Sequence, residues 1–356
     1  MTQPLPCGIL LIVKSEKSIR AVGLLSGGLD SILATRVMLE QGIAVTPVHI
    51  ETGLTYERRN RLTRRQASQE SRAERAARML GLDLVSLRAF EDYIPVVLNP
   101  KHGYGSQMNP CVDCRIFLLR QAKRWMEEHD HQFIFTGEVL GQRPNSQLRH
   151  ALRTVERGSG LEGLLLRPLS AKLLEPTIPE ERGWVERDYL YAFQGRSRGP
   201  QMALAQEFGI TEYPQPAGGG CFLVDKTYSR RLRDFLDHEG PDALTSEQAL
   251  LLAIGRHLRL PSQRRVVVGR HQEENAHIAS LQDQGVLMTT IDDPGPTTLV
   301  SGDPTEGEIE LAARITGRYS SAGDREAVRV KLLNDNLSAI VTVAPLAPAE
   351  IRSLMI

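Results

Sequence analysis

The chain has 356 residues, 43 of them acidic and 43 basic, for a formal net charge of zero. That length allows two domains and a sizeable core, and 41% hydrophobic with 24% charged residues is ordinary for a globular protein. No run of about 18 apolar residues occurs, which excludes a membrane-spanning helix, and the neutral balance excludes nucleic-acid binding through bulk charge alone.

Finer composition is more telling. Seven of the 43 basic residues are Lys and the rest are Arg, the residue suited to bidentate phosphate contacts. The apolar stretch 7–13 lacks a basic start and a small-residue cleavage site, and is not read as a signal peptide. Four cysteines, two of them in a Cys-x-x-Cys, point to metal or sulfur chemistry in a reducing cytoplasm.

In chain order, the first element is a buried strand in residues 21–25 that ends in Ser26-Gly27-Gly28-Leu29-Asp30-Ser31. Leu33, Ala34, Val37 and Met38 then recur at helical spacing until Gly42. A strand, a glycine turn and a helix start aim backbone N–H groups at an anion. The glycines permit close approach, and the serines add hydroxyl donors. Asp30 would repel a bare phosphate, so its presence implies Mg²⁺ between carboxylate and phosphate oxygens. The loop lacks the Gly-Lys-Ser/Thr ending of a Walker A loop and is not a GxGxxG fingerprint.

Residues 45–50 read as a second strand. A helix then follows with Arg58, Arg59, Arg61, Arg64, Arg65, Arg72, Arg75 and Arg78, either a phosphate-contacting surface or a solvated face with Glu74 and Arg78 as an i,i+4 pair. Residues 84–87 form a third strand, and a Gly/Pro-rich loop leads to a helix with Leu118, Leu119, Ala122, Trp125 and Met126 on one stripe. Residues 133–136 and 164–167 are short buried strands. The alternation is that of an α/β, doubly wound parallel sheet with ligands at the strands' carboxyl ends. The domain is expected in residues 1–184, with a helical extension in 185–242. Beyond about 243, short β-like runs at 265–268, 286–291 and 339–343 predict a smaller α+β domain.

Asn109-Pro-Cys-Val-Asp-Cys114 places Cys111 and Cys114 one turn apart at a helix start, where the helix N-terminus favours thiolate. Cys221, after Ala217-Gly-Gly-Gly220, could join them on a mobile loop. Three readings are open: a zinc site lacking an obvious fourth ligand, three thiolates on a 4Fe–4S cluster with one open iron, or a persulfide carrier with a resolving thiol. Cys7 reads as a small buried hydrophobe. Lys172 is a candidate for phosphate contact, Gln142 and Arg143 are candidates for substrate contact, and His102, His129 and His131 are assigned no role.

The Ser26–Ser31 loop resembles that of the ATP pyrophosphatase (PP-loop) superfamily, whose members cleave ATP to AMP and pyrophosphate on a HUP-type fold. With residues 109–114, Phe135-Thr-Gly-Glu138 and Gly-Gly-Gly-Cys221, residues 21–225 resemble the PP-loop tRNA thiolation enzymes. The resemblance implies an ATP-dependent tRNA sulfurtransferase acting through an adenylated uridine. It implies that Ser26, Gly27, Gly28, Asp30 and Ser31 hold pyrophosphate and Mg²⁺, that Gly137 lies by the nucleotide, and that Cys111, Cys114 and Cys221 handle sulfur. Two cysteines at 111 and 114 favour the branch that depends on a 4Fe–4S cluster. The implied partners are tRNA and a sulfur donor, either sulfide or a protein persulfide. No rhodanese-like or ferredoxin-like RNA-binding domain is read.

Val267-Val-Gly-Arg-His-Gln-Glu-Glu-Asn275 with Asp292-Asp-Pro-Gly-Pro296 is similar to the small RNA-associated domain of the NFACT family. That similarity implies tRNA contact through Arg256, Arg259, Arg264, Arg265 and Arg270. Two other functions fit the sequence: ATP-dependent sulfur or nitrogen transfer to a small molecule, and a non-catalytic RNA- or cluster-binding protein. Oligomeric state is left open.

Overall fold

The computed structural model describes residues 18–63, 70–214, 220–334 and 338–356. Five parallel strands form the first sheet: β1 (Arg20–Leu24), β2 (Ala44–Glu51), β3 (Val85–Arg88), β4 (Phe133–Thr136) and β5 (Leu165–Leu166), in the order β3-β2-β1-β4-β5. The order reverses between β1 and β4, so a crevice opens at the carboxyl ends of those two strands.

Side chains alternate between the two faces with period two. Phe133 and Phe135 enter one core with the helices Leu29–Glu40 and Arg72–Met79. Ile134 enters the other core with the helices Phe90–Leu98 and Cys111–Glu128. Burying a large apolar side chain this fully stabilises by about 1.5–3 kcal/mol, and β4 is buried at all four positions. The doubly wound architecture is as expected from the sequence.

Residues of 185–214 and 220–253 pack on both faces of this sheet. Val185, Leu190, Leu204 and Ile210 pack with the helix Leu29–Glu40. Phe222, Tyr228, Leu232 and Phe235, followed by Ala249 and Leu252, pack with the helix Cys111–Glu128.

The second sheet is antiparallel: β6 (Arg256–Arg259), β7 (Arg265–Val268), β8 (Gly285–Thr290), β9 (Thr297–Ser301), β10 (Val328–Leu333) and β11 (Ser338–Val343), in the order β11-β10-β8-β9-β7-β6. The helix Glu306–Arg318 buries Ala312, Ala313 and Ile315 against one face. Leu287 and Leu299 on the other face meet Ile278, and Leu62 of the first domain packs there too.

Two arginine expectations are corrected. The described arginines of residues 58–78 fall on two helices, Tyr56–Thr63 and Arg72–Met79, not one. Arg64 and Arg65 lie outside the described residues. Glu74 closes a capping box on Ser71, so Arg78 pairs with Glu70 instead. In the second domain, Arg259 is held by Asp234 and Glu239, Arg264 by Glu308, and Arg270 by Glu274. Arg256 lies over the Tyr319 ring. Arg265 is 2% exposed, pairs with Glu239 at 3.1 Å and lies over the Phe235 ring. Arg259 and Arg265 therefore bind the helix Lys226–Glu239 to the second sheet and are not surface contacts for RNA.

Candidate active site

The loop between β1 and the helix Leu29–Glu40 is shaped by its glycines. Gly27 has φ +71°, and a Cβ there would meet the Arg72 backbone at 2.3 Å. Only a residue without a side chain allows that approach and that dihedral. Gly28 caps the helix with no side-chain hydrogen bond, so the first-turn amides are left for a ligand. Ser31 Oγ donates to the Gly28 carbonyl at 2.8 Å and lies 3.3 Å from Ser26 Oγ.

Asp30 sits in the first helical turn. Its Oδ2 accepts from Gln142 Nε2 at 3.1 Å, and its buried Oδ1 has no hydrogen-bond partner among the described residues. Burial pushes its carboxyl up, against the opposing pull of Gln142, Arg198, Gln201 and Arg143. Gln201 is fully buried on the helix Gly199–Glu207 and faces this carboxylate without a geometrically sound hydrogen bond. An orphaned carboxylate oxygen beside a glycine turn fits Mg²⁺ carried on a nucleotide phosphate.

Gly137 follows β4 and abuts the backbone of Asp30 and Ser31. Next to it, Glu138 is 3% exposed and bonds Arg167, with Arg115 3.5 Å from its other oxygen. Lys172 is turned elsewhere: its Nζ donates to the Asp188 carbonyl at 2.8 Å.

None of the three cysteines forms a disulfide. Cys111 and Cys114 occupy the first turn of their helix. From Gly220 onward the segment with Cys221 is stitched down: Tyr56 N–H donates to Gly220, Phe222 N–H to Leu54, and Met108 N–H to Leu223, while residues 217–219 of the expected mobile loop lie outside the described residues. Tyr93 is the shared neighbour of the three cysteines: burial first, then Cys114, Cys221 and Cys111, pushes its hydroxyl up.

The expected thiolate character is reversed. Burial raises Cys111 against the opposing influence of Arg115 and Arg143, and raises Cys114 against that of Tyr93. Cys221 is pushed up to about 12, first by burial and then by Cys114. Desolvation outweighs the helix N-terminus here. Three half-buried thiols with raised pKa values suit a metal or iron–sulfur centre in donor type, because the metal charge offsets the cost of deprotonation. As they stand, the described residues contain no group of three His, Cys, Asp or Glu positioned to hold a metal ion.

Sequence reasoning had overlooked Gln201, Tyr93 and Asn145. Gln201 belongs to a helix with no apolar stripe that would mark a buried face, and Tyr93 sits in a helix interrupted by Pro95.

The sheet order and this loop define a doubly wound α/β fold with a glycine turn at its switch point. Residues 17–172 match the family model described as thiamine biosynthesis protein (ThiI), and residues 255–355 match that of the NFACT protein RNA binding domain. The chain thus carries a ThiI-type domain followed by an NFACT-type domain. It is 28% identical over 150 residues to a "Probable tRNA sulfurtransferase" of Thermococcus kodakarensis. That match takes in 42% of this chain and 36% of the relative, so about a third of that protein is spanned. Among solved structures, a 4-thiouridine synthetase with RNA and ATP bound is similar over 65% of this chain and 53% of its own, at 19% identity and TM-score 0.35. The U34-tRNA thiolase NcsA of Methanococcus maripaludis, with its 4Fe–4S cluster, is similar over 65% and 69%, at 15% identity and TM-score 0.31. No helix among the described residues is long and apolar enough to cross a membrane.

Proposed function

We propose that the chain is an ATP-dependent tRNA sulfurtransferase that replaces a uridine carbonyl oxygen with sulfur. The observation that supports this reading is Arg143, whose charge reaches both the Asp30 carboxylate, with its orphaned oxygen, and the free Cys111 thiol. ATP activation and sulfur handling at one place form a specific pairing.

Ser26, Gly27, Gly28 and Ser31 supply amides and hydroxyls to the pyrophosphate, and Asp30 would hold Mg²⁺. The uridine oxygen attacks the α-phosphorus and pyrophosphate leaves. A sulfur nucleophile then bonds to the activated carbon, and the C–O electron pair departs with AMP, a far better leaving group than an amide-like oxygen. With sulfide as donor no redox partner is needed; a protein persulfide would require a reductant. Cys111, Cys114 and Cys221 would hold a 4Fe–4S cluster, whose open iron would supply a binding position for sulfide. The buried surroundings of Cys114 and Cys221 keep water from the sulfur. The NFACT-type domain would contact the tRNA backbone, through surfaces other than Arg259 and Arg265.

Nucleoside analysis of tRNA incubated with Mg-ATP and sulfide tests this. Thiolated uridine formed together with AMP is expected from anaerobically reconstituted protein containing iron. AMP release that needs a small metabolite, with tRNA left unmodified, would overturn the reading.

A further inference from the structure

The nucleotide loop and the cysteine helix are joined by one short segment, residues 141–147. Its two ends touch the two chemistries. Gln142 donates to Asp30 at 3.1 Å. Asn145 lies beside the Cys111 thiol and supports its charged form. Asn145 is also wedged against Gly105, where a Cβ would meet its amide nitrogen at 2.6 Å, and Gly105 and Cys111 both donate backbone N–H groups to Asn109. The segment closes on itself: Gly141 N–H donates to Gln147 at 2.7 Å, and Gln147 N–H donates to Arg143 at 3.0 Å.

Arg143 stands between those two ends. Among the described residues its guanidinium has neither an ion pair nor a hydrogen bond, unlike Arg167, held by Glu138 and Glu156, or Arg115, drawn to Glu138. Its charge is felt by Asp30 on one side and by Cys111 and Cys221 on the other. Arg198 acts on Asp30 as well. A rigid loop that presents an unneutralised guanidinium between a phosphate site and a sulfur site is suited to bidentate phosphate contact.

We propose that Arg143 is a catalytic residue that grips the phosphate of AMP, the group joining nucleotide to substrate while sulfur arrives. This rests on the proposed function and assigns to one side chain the charge of the departing group. AMP binding tests it without turnover. Calorimetry on the full chain should show AMP bound more tightly than adenosine. Arg143→Gln should weaken AMP by on the order of tenfold or more while adenosine stays within twofold, and Arg143→Lys should restore part of the loss. With tRNA, Mg-ATP and sulfide, Arg143→Gln should lower turnover far more than it raises the ATP Michaelis constant. AMP affinity within twofold of the parent in Arg143→Gln overturns the assignment while leaving the function standing. A parent chain that binds neither AMP nor adenosine overturns both.

Discussion

Gly137 lies directly against the first turn of the helix that carries Asp30: a Cβ on Gly137 would come within 2.5 Å of the Asp30 carbonyl carbon and the Ser31 nitrogen. The atoms it would meet are backbone, which cannot swing aside. The end of β4 thereby fixes where the helix amides point. Gly137→Ala is expected to destabilise the fold by about 1–3 kcal/mol, the range for overpacking, and to weaken Mg-ATP binding by about tenfold. Thermal melts with and without Mg-ATP check both, and unchanged nucleotide stabilisation would separate Gly137 from the nucleotide site.

Asp30 is tuned for binding at the expense of stability. Burial raises its folded pKa above the unfolded value, so the folded state holds the proton more tightly. Stability from this group falls as pH rises between those two values, and at neutral pH the ionised, half-satisfied carboxylate is a net cost. Asp30→Asn should therefore melt higher than the parent at pH 7 without ligand, yet gain no stability from Mg-ATP. A variant that melts lower in the free state would count against this view of the carboxylate.

Thiol reactivity should follow burial. In the metal-free chain Cys221, pushed up to about 12, stays protonated at pH 8, while Cys111 is opposed by Arg115 and Arg143. Mass-spectrometric mapping after brief iodoacetamide treatment at pH 8 should find Cys111 modified first and Cys221 last. The difference should shrink as pH rises toward 11. Equal labelling at pH 8 would contradict the burial argument.

The junction between the domains carries its own pH dependence. His257 is fully buried, and its Nε2–H donates to the Leu251 and Ile254 carbonyls at 3.1 and 2.9 Å. Burial, then Arg231 and Arg265, hold its pKa well below the usual value. A depressed base contributes stability that is present above its unfolded pKa and is lost as pH falls below it. Denaturant midpoints should drop between about pH 7 and pH 5, and the drop should be shallower in His257→Gln. His131 and His277, also depressed by burial, add to the same trend.

The first sheet was legible because its strands are apolar runs closed by turn residues and its nucleotide loop is a contiguous motif. Cys111 and Cys114 were legible for the same reason: three residues at a helix start determine their spacing. What escaped reading depends on contacts distant in sequence. Arg259 and Arg265 look like surface cations until Asp234 and Glu239, 20 to 26 residues upstream, neutralise them. The stitching of Gly220 to Tyr56 cannot be seen in either segment alone. The raised thiols show the same limit, because helix position is local and desolvation is set by the whole core.

The most direct test compares the parent with Cys221→Ala, scoring thiolated uridine in tRNA and Mg-ATP binding side by side. Loss of thiolation with Mg-ATP affinity retained within about threefold is expected, since Cys221 belongs to the sulfur group and not to the phosphate loop. Full thiolation by Cys221→Ala would contradict the three-thiol site.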